Sequence, residues 1–435
     1  MKWMNKEKSG TMGCKKKDIR RDALRIVNDA IEGVLPEEAV KKALATKDFP
    51  DEEKIFVVAI GKAAWNMAVA TKEFLGSKIS EGIVITKYDH SKGAIPGMRI
   101  IEAGHPVPDH NAVIGAEMVL KMVSGLSGKD RVILLISGGG SALFEKPMEG
   151  ISLQDIMNIT DQLLSSGANI IEINTVRKRL SALKGGKFAG LCGEAKIFSI
   201  VLSDVVGDHL DVIASGPAYP DHSTSNEALD IIRKYNLRVE DHIKKVIKIE
   251  TPKIVRNCET VITGNVRVLC EAAANSAKER GYHPMILTST LDCEAREAGK
   301  FMASVAREIK DLQNRAPFVS PPCAIIAGGE TVVHLRGKGK GGRNQELALA
   351  AAIGIDGISD VVLFSLGSDG TDGPTDAAGG MVDGKTVERM RSMNILPQGY
   401  LGNNDSYHAL KASGDLIFTG STGTNVNDLV VLLCK

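Results

Sequence analysis

Aromatic residues make up only 4% of this 435-residue chain, with two tryptophans among them. Proteins that bind single-stranded nucleic acid stack bases on repeated aromatic faces, so this composition argues against a nucleic-acid partner. Charge of one sign is missing as well: 54 Lys and Arg stand against 53 Asp and Glu, a formal net charge of +1. A field that weak recruits neither DNA, RNA nor an anionic membrane, and any charge-based recognition must be local. No apolar run approaches the ~18 residues of a membrane-spanning helix; the longest strand-like runs are pieces such as 132–136. The seven cysteines contain no C-x-x-C pair and no metal spacing, so they read as reduced thiols of a cytoplasmic protein. There is no G-x-S-x-G elbow and no serine or cysteine with a recognisable base partner, which leaves acyl transfer without support. The histidines do not cluster; the nearest pair, His105 and His110, sits on a proline-stiffened loop rather than on one helical face. Residues 1–19 are a basic tail without the apolar segment of a secretory signal.

What is present is an ordinary globular balance, 43% apolar and 25% charged, in a chain long enough for two or three domains. Short apolar strands alternate with helical segments at 55–60, 82–86, 131–137 and 197–202, the pattern of parallel βαβ units in a layered α/β domain. A second series is expected at 259–263, 283–287, 324–327, 331–335, 361–366, 415–419 and 428–433. Two α/β domains follow, 20–240 and 250–435, with the charged stretch 232–254 as the crossing region.

Several stretches carry chemistry. Gly337–Ala350 (GKGKGGRNQELALA) sets glycines and cations between a β-branched run, 331–335, and a helical pattern. Free N–H groups at a helix N-terminus bind phosphate or carboxylate, and Gly337, Gly339 and Gly342 also satisfy the dinucleotide fingerprint G-x-G-x-x-G. Residues 379–386 (GGMVDGKT) satisfy the P-loop pattern formally but follow no strand directly. In 136–143 (ISGGGSAL) a strand runs into Gly138, Gly139 and Gly140, with Ser141 at an expected N-cap, and a row of unshielded N–H groups there can approach a phosphate chain. Lys62, where a strand gives way to a helix in AIGKAAWNMA, can neutralise a transferring phosphoryl group as a point charge. Asp369, Asp372 and Asp376 lie in a Gly- and Pro-rich loop that fails the EF-hand template, yet Mg²⁺ needs only one or two carboxylates plus waters and phosphate. Asp204, directly after a strand, is a candidate catalytic or metal residue, and Glu330 sits at a glycine turn.

Taken together, GKAAWNMA, SGGGSAL, NTVRKRLSALKGGK (174–187), SDVVGDHLDVIASGP, GGETVV, GGRNQE, DGTDGPTDAAG and GSTGTNVNDL resemble the class II glycerate kinases, the glycerate 2-kinase or MOFRL-type family, from about residue 20 to the C-terminus. The resemblance implies an α/β fold of two domains, the N-terminal one Rossmann-like with a mostly parallel sheet and the C-terminal one a mixed-sheet MOFRL-type domain, with the active site in the cleft between them. It implies ATP and Mg²⁺ as cofactors and D-glycerate as phosphoryl acceptor at its 2-hydroxyl, without nucleic-acid or membrane partners. A homodimer is left open. Relatives once labelled hydroxypyruvate reductases keep an NAD(P)-dependent reductase as the alternative. Lys62 and Arg343 match the family's proposed catalytic cations, and Asp204 is added as a candidate catalytic group. Gly138–Ser141 and Lys62 would hold the nucleotide, and Asp204, Glu330, Asp369 and Asp372 are the metal candidates. Two departures, Ser421 for Pro and Ala218 for Thr, put local substrate contacts in question.

Overall fold

The computed structural model describes residues 18–203, 210–311 and 319–435. Six parallel strands form the first sheet: β1 (Ile55–Ile60), β2 (Ile79–Lys87), β3 (Met98–Ala103), β4 (Arg131–Ile136), β5 (Lys196–Leu202) and β6 (Cys258–Gly264). Their order is β3-β2-β1-β4-β5-β6, so the chain reverses its direction of travel between β1 and β4. The central strands read as unbroken apolar runs (IFVVAI, RVILLI, KIFSIVL), as expected where helices cover both faces of a parallel sheet.

The second sheet is mixed. Its strands are β7 (His283–Leu291), β8 (Cys323–Gly329), β9 (Val361–Gly367), β10 (Gly379–Asp383), β11 (Leu416–Ile417) and β12 (Asp428–Cys434), in the order β11-β10-β9-β12-β8-β7. Only β7 and β8 run parallel; β12 is antiparallel to both β8 and β9.

Two expectations are corrected, at 259–263 and 331–335. The strand expected at 259–263 belongs to the first sheet, because β6 pairs with β5 from Ile197↔Cys258 onward. Residues 331–335 form no strand and contribute one isolated bridge, Glu294↔Val332; Val332 and Leu335 are solvent-exposed, so the β-branched Val332 has no sheet to pack on. The P-loop pattern at 379–386, set aside from the sequence, begins with β10, antiparallel to β9. Gly379 is required there by crowding, since a Cβ would fall 1.9 Å from the Ser365 carbonyl oxygen.

The two sheets share a continuous core. Val57, Ile133 and Ile200 of the first sheet and Ile326, Phe364 and Val431 of the second belong to one buried cluster, bridged by Leu269, Cys270 and Ala273 of the helix Val266–Glu279. The helix Ile19–Glu32 crosses to the second sheet. Arg20 donates to Asp415 (2.9 Å) and the Met381 carbonyl (3.1 Å) and pairs with Asp383, while Asp22 accepts from Tyr282 (3.0 Å) and Lys435 (2.9 Å). Among the described residues no helix is long and apolar enough to cross a membrane.

Candidate active site

The reversal between β1 and β4 leaves a crevice at the carboxyl ends of those strands, the usual ligand position in open parallel sheets. Two turns meet there. Gly61, at φ +116°, lies so close to Ser137 that any Cβ would collide with it, and the Lys62 N–H donates to the Gly138 carbonyl (2.9 Å). Ser137 Oγ accepts from the Ala63 N–H (3.0 Å). These bonds fix Lys62 beside the glycine turn through its backbone, leaving its ammonium unpaired among the described residues.

Gly139 has φ +85°, and a Cβ on it would stand 2.9 Å from the His105 ring and 3.4 Å from the Lys62 side chain. This is one of the positions where only glycine serves. Gly139, not Ser141, is the N-cap of the short helix Gly140–Leu143; Ser141 lies inside it, so its expected capping role is corrected. The N–H groups of Gly138, Gly139, Gly140 and Ser141 have no acceptor among the described residues. Four open donors beside an unpaired lysine make a cradle for an anion.

A hollow of about 470 Å³ opens over this turn and is closed on its far side by the second sheet's loops. The first body contributes Lys62, Lys87, His90, Lys92, Asn66 and Gly138; the second contributes Asp369, Thr371 and Ser421–Asn425 without Thr422. Thr422 braces that loop by donating to the Ser368 carbonyl (2.6 Å), and Ser368 Oγ accepts from the Val426 N–H (2.8 Å). Ser421, the departure from the family pattern, thus faces the hollow, whereas Ala218 is buried elsewhere. Lys87 and Lys92 escaped the sequence reading. Their signal was position: KYDHSK leaves the carboxyl end of β2, one strand from the reversal.

His105 lies against this cationic wall. Burial and the charges of Lys62, Lys87 and His90 push its imidazole down to about 4. A histidine whose folded pKa lies below its ordinary 6.5 contributes stability above that value and loses it as pH falls toward 4, because the unfolded chain takes up the proton first. We expect ring-nitrogen NMR to show His105 neutral at pH 7 and titrating near 4; titration near 6.5 would contradict the packing against Lys62 and Gly139.

Arg343 stands one layer back. It opens the helix Arg343–Gly354, and its guanidinium makes a bidentate pair with Asp428 (2.5 and 3.0 Å) and a third bond to Glu330 (2.8 Å). Burial works against its charge, but the hydrogen bonds and charge of Asp428 outweigh that and raise its pKa. It does not line the hollow; Asp428, its partner, and Asp369, which does line it, both lie beside Gly367.

The glycine loop before that helix holds protein rather than a ligand. The N–H groups of Arg336 and Gly337 donate to Asn404 (2.7 and 3.0 Å), that of Lys338 to Asn403 (3.2 Å) and that of Lys340 to Asp405 (3.0 Å). The helix N-terminus is taken as well: Asp372, buried, accepts from the N–H groups of Asn344 (3.1 Å) and Gln345 (2.8 Å). A Cβ on Gly342 would fall 2.2 Å from the Asp372 carboxyl, so glycine there admits an internal carboxylate. Burial nevertheless pushes Asp372 up to about 6.

The metal candidates therefore separate. Asp372 caps a helix, Glu330 pairs with Arg343, Asp369 faces the hollow, and Asp204 lies outside the described residues. Among the described residues no group of three His, Cys, Asp or Glu side chains stands close enough to hold a metal ion by itself.

Known proteins resemble this chain along almost its whole length. Residues 22–248 match a domain of unknown function (DUF4147), and residues 323–428 match the MOFRL family. The chain is 53% identical over 413 residues to the D-glycerate 2-kinase of Thermotoga maritima, covering 95% of this chain and 98% of the relative. It is 39% identical to an Agrobacterium vitis protein that carries the provisional name hydroxypyruvate reductase, covering 94% and 93%. A crystal structure of glycerate kinase from Thermotoga maritima superposes with a TM-score of 0.93 at 52% identity, over 96% of this chain and 99% of that one.

Proposed function

Because the chain belongs to the glycerate 2-kinase (MOFRL) family, we propose that it transfers the γ-phosphoryl group of ATP to the 2-hydroxyl of D-glycerate, giving 2-phosphoglycerate and ADP. The observation that carries this reading is the pairing of four open N–H groups at Gly138–Ser141 with the unpaired ammonium of Lys62, at the mouth of a two-sided hollow.

Phosphoryl transfer asks the protein for alignment and charge neutralisation more than for covalent chemistry. The turn Gly138–Ser141 receives the phosphate chain, and Lys62 meets the transferring group as a point charge. Lys87 and Lys92 add positive charge along the same wall. Two carboxylates line the hollow, Asp89 and Asp369; Asp369, on the second body, is our choice for Mg²⁺, which takes one or two such ligands and completes its shell with water and substrate phosphate. When bound, the ion neutralises phosphate charge. Asp204 keeps its proposed catalytic role on sequence grounds alone. Arg343 reaches a substrate only if the two bodies close, and we take those bodies to be β1–β6 and β7–β12 with their helices, in place of the division 20–240 and 250–435. Closure excludes water, which would otherwise consume ATP. We place the enzyme in the cytoplasm, in keeping with six unpaired cysteines among the described residues.

The reductase reading has no comparable support, since the fingerprint glycines at 337–342 are packed against Asn403–Ser406 and Asp372. The test is direct: incubate the protein with ATP, Mg²⁺ and D-glycerate and follow phosphorus NMR. ADP with the resonance of 2-phosphoglycerate is the expected result; ATP left intact, or 3-phosphoglycerate as product, refutes the assignment.

A further inference from the structure

Beneath the glycine turn lies a set of side chains that the cleft does not account for. The block 174–187 begins in the helix Ile170–Leu180, where Asn174 and Arg177, three residues apart, share a face. The Arg177 guanidinium donates to the Ser141 carbonyl (3.1 Å). Ser215 Oγ donates to Asn174 Oδ1 (3.0 Å) and lies 3.0 Å from Ser141 Oγ. Ala214, Ser215 and Gly216 have φ of 50°, 59° and 63°, and two of them are residues that leave the left-handed region to glycine unless held there. The Ala214 methyl group sits 2.8 Å from where a Cβ on Gly140 would be, so this arch presses directly on the turn.

Among the described residues the charges under the turn do not balance. Glu145 and Lys184 are almost completely buried and pair at 2.5 Å, and Arg177 meets the same carboxylate only at 3.7 Å. Among the described residues, two cations share one anion. Glu145 Oε1 and Arg177 Nε are both buried without a hydrogen-bond partner. An excess positive charge held in a low-dielectric interior costs free energy until a counter-charge arrives, and the open side of the turn is where one can.

We infer that Arg177 is a positioning residue: through the Ser141 carbonyl it holds Gly138–Ser141 in the shape that accepts a nucleotide's phosphates, and its unneutralised charge favours their binding. This rests on the reading of that turn as the phosphate site. The experiment is calorimetric titration of the full chain with ADP, adenosine and D-glycerate, comparing wild type, Arg177→Met and Ser215→Ala. Arg177→Met is expected to weaken ADP binding roughly tenfold or more, the scale of a hydrogen bond to a charged group, while adenosine binds as to wild type. Ser215→Ala is expected to show the same selectivity at about threefold, as suits one neutral hydrogen bond, and it decides the matter if Arg177→Met does not fold. Equal losses for ADP and adenosine would mean a merely structural role and overturn the inference, as would unchanged ADP affinity or a loss confined to D-glycerate. If wild type binds ADP yet transfers nothing to D-glycerate, the functional reading fails while this one stands.

Discussion

Lys62→Ala lowers turnover roughly 10²–10³-fold, the scale of losing one preorganised group aimed at developing charge, and leaves thermal stability unchanged. The two halves of that expectation come from different atoms of one residue. Its backbone N–H is tied to Gly138 and its carbonyl accepts from His90 (3.1 Å), so the main chain keeps its course whatever the side chain. Its ammonium has no ion pair among the described residues, so truncation strands no buried carboxylate. Lys62→Arg retains the charge but replaces a point by a planar fork, and partial activity is expected. Steady-state ADP release and calorimetric melting of the same preparations check both halves. A loss of only a few-fold would move Lys62 out of the reaction.

Arg343→Ala should behave differently, because each of its three guanidinium nitrogens already donates to a carboxylate. Removing it leaves Asp428, 3% exposed, without its bidentate partner and beside the buried Asp372. Breaking a buried pair from one side costs about 3–5 kcal/mol, and the partial exposure of Arg343 argues for the lower end. Adding Asp428→Asn to Arg343→Ala removes the stranded charge and is expected to restore most of that stability. Turnover tells the second story: if closure brings Arg343 to the transferring group, the single and the double variant both lose roughly 10³-fold. Recovery of activity along with stability in the double variant would assign Arg343 to the framework alone.

Features that depend on local chain alone were legible in the sequence, and those that depend on a distant partner were not. The buried strands β1, β4, β9 and β12 were legible because apolar runs of six or seven residues have few other uses. So was the turn at Gly138–Ser141, whose unpaired N–H groups need nothing beyond their own backbone. The loop at Gly337–Gly342 looked equally like an anion site, and nothing nearby in sequence announces that Asn403, Asn404 and Asp405, some 65 residues on, already fill it. Asp372 misled for the same reason, as a carboxylate in an acidic loop that serves a helix end. The strand β3 was passed over because Met98–Ala103 is a half-buried edge with polar residues interleaved. Lys87 and Lys92 needed the strand order, which sets β2 next to β1, before their charge had a place to act.

The anchoring of the helix Ile19–Glu32 on the second sheet carries a consequence for biosynthesis. The Arg20 and Asp415 side chains that meet there are 395 residues apart. At ordinary ribosomal rates that separation is roughly 20–80 s of elongation. For most of that interval the apolar face of the helix, with Ile26, Val27 and Ala30, lacks its packing partners, first the helix Val266–Glu279 and then β9. The nascent chain should therefore be most dependent on chaperones during that wait, which shortens as residues 266–367 emerge and ends when Asp415 reaches Arg20.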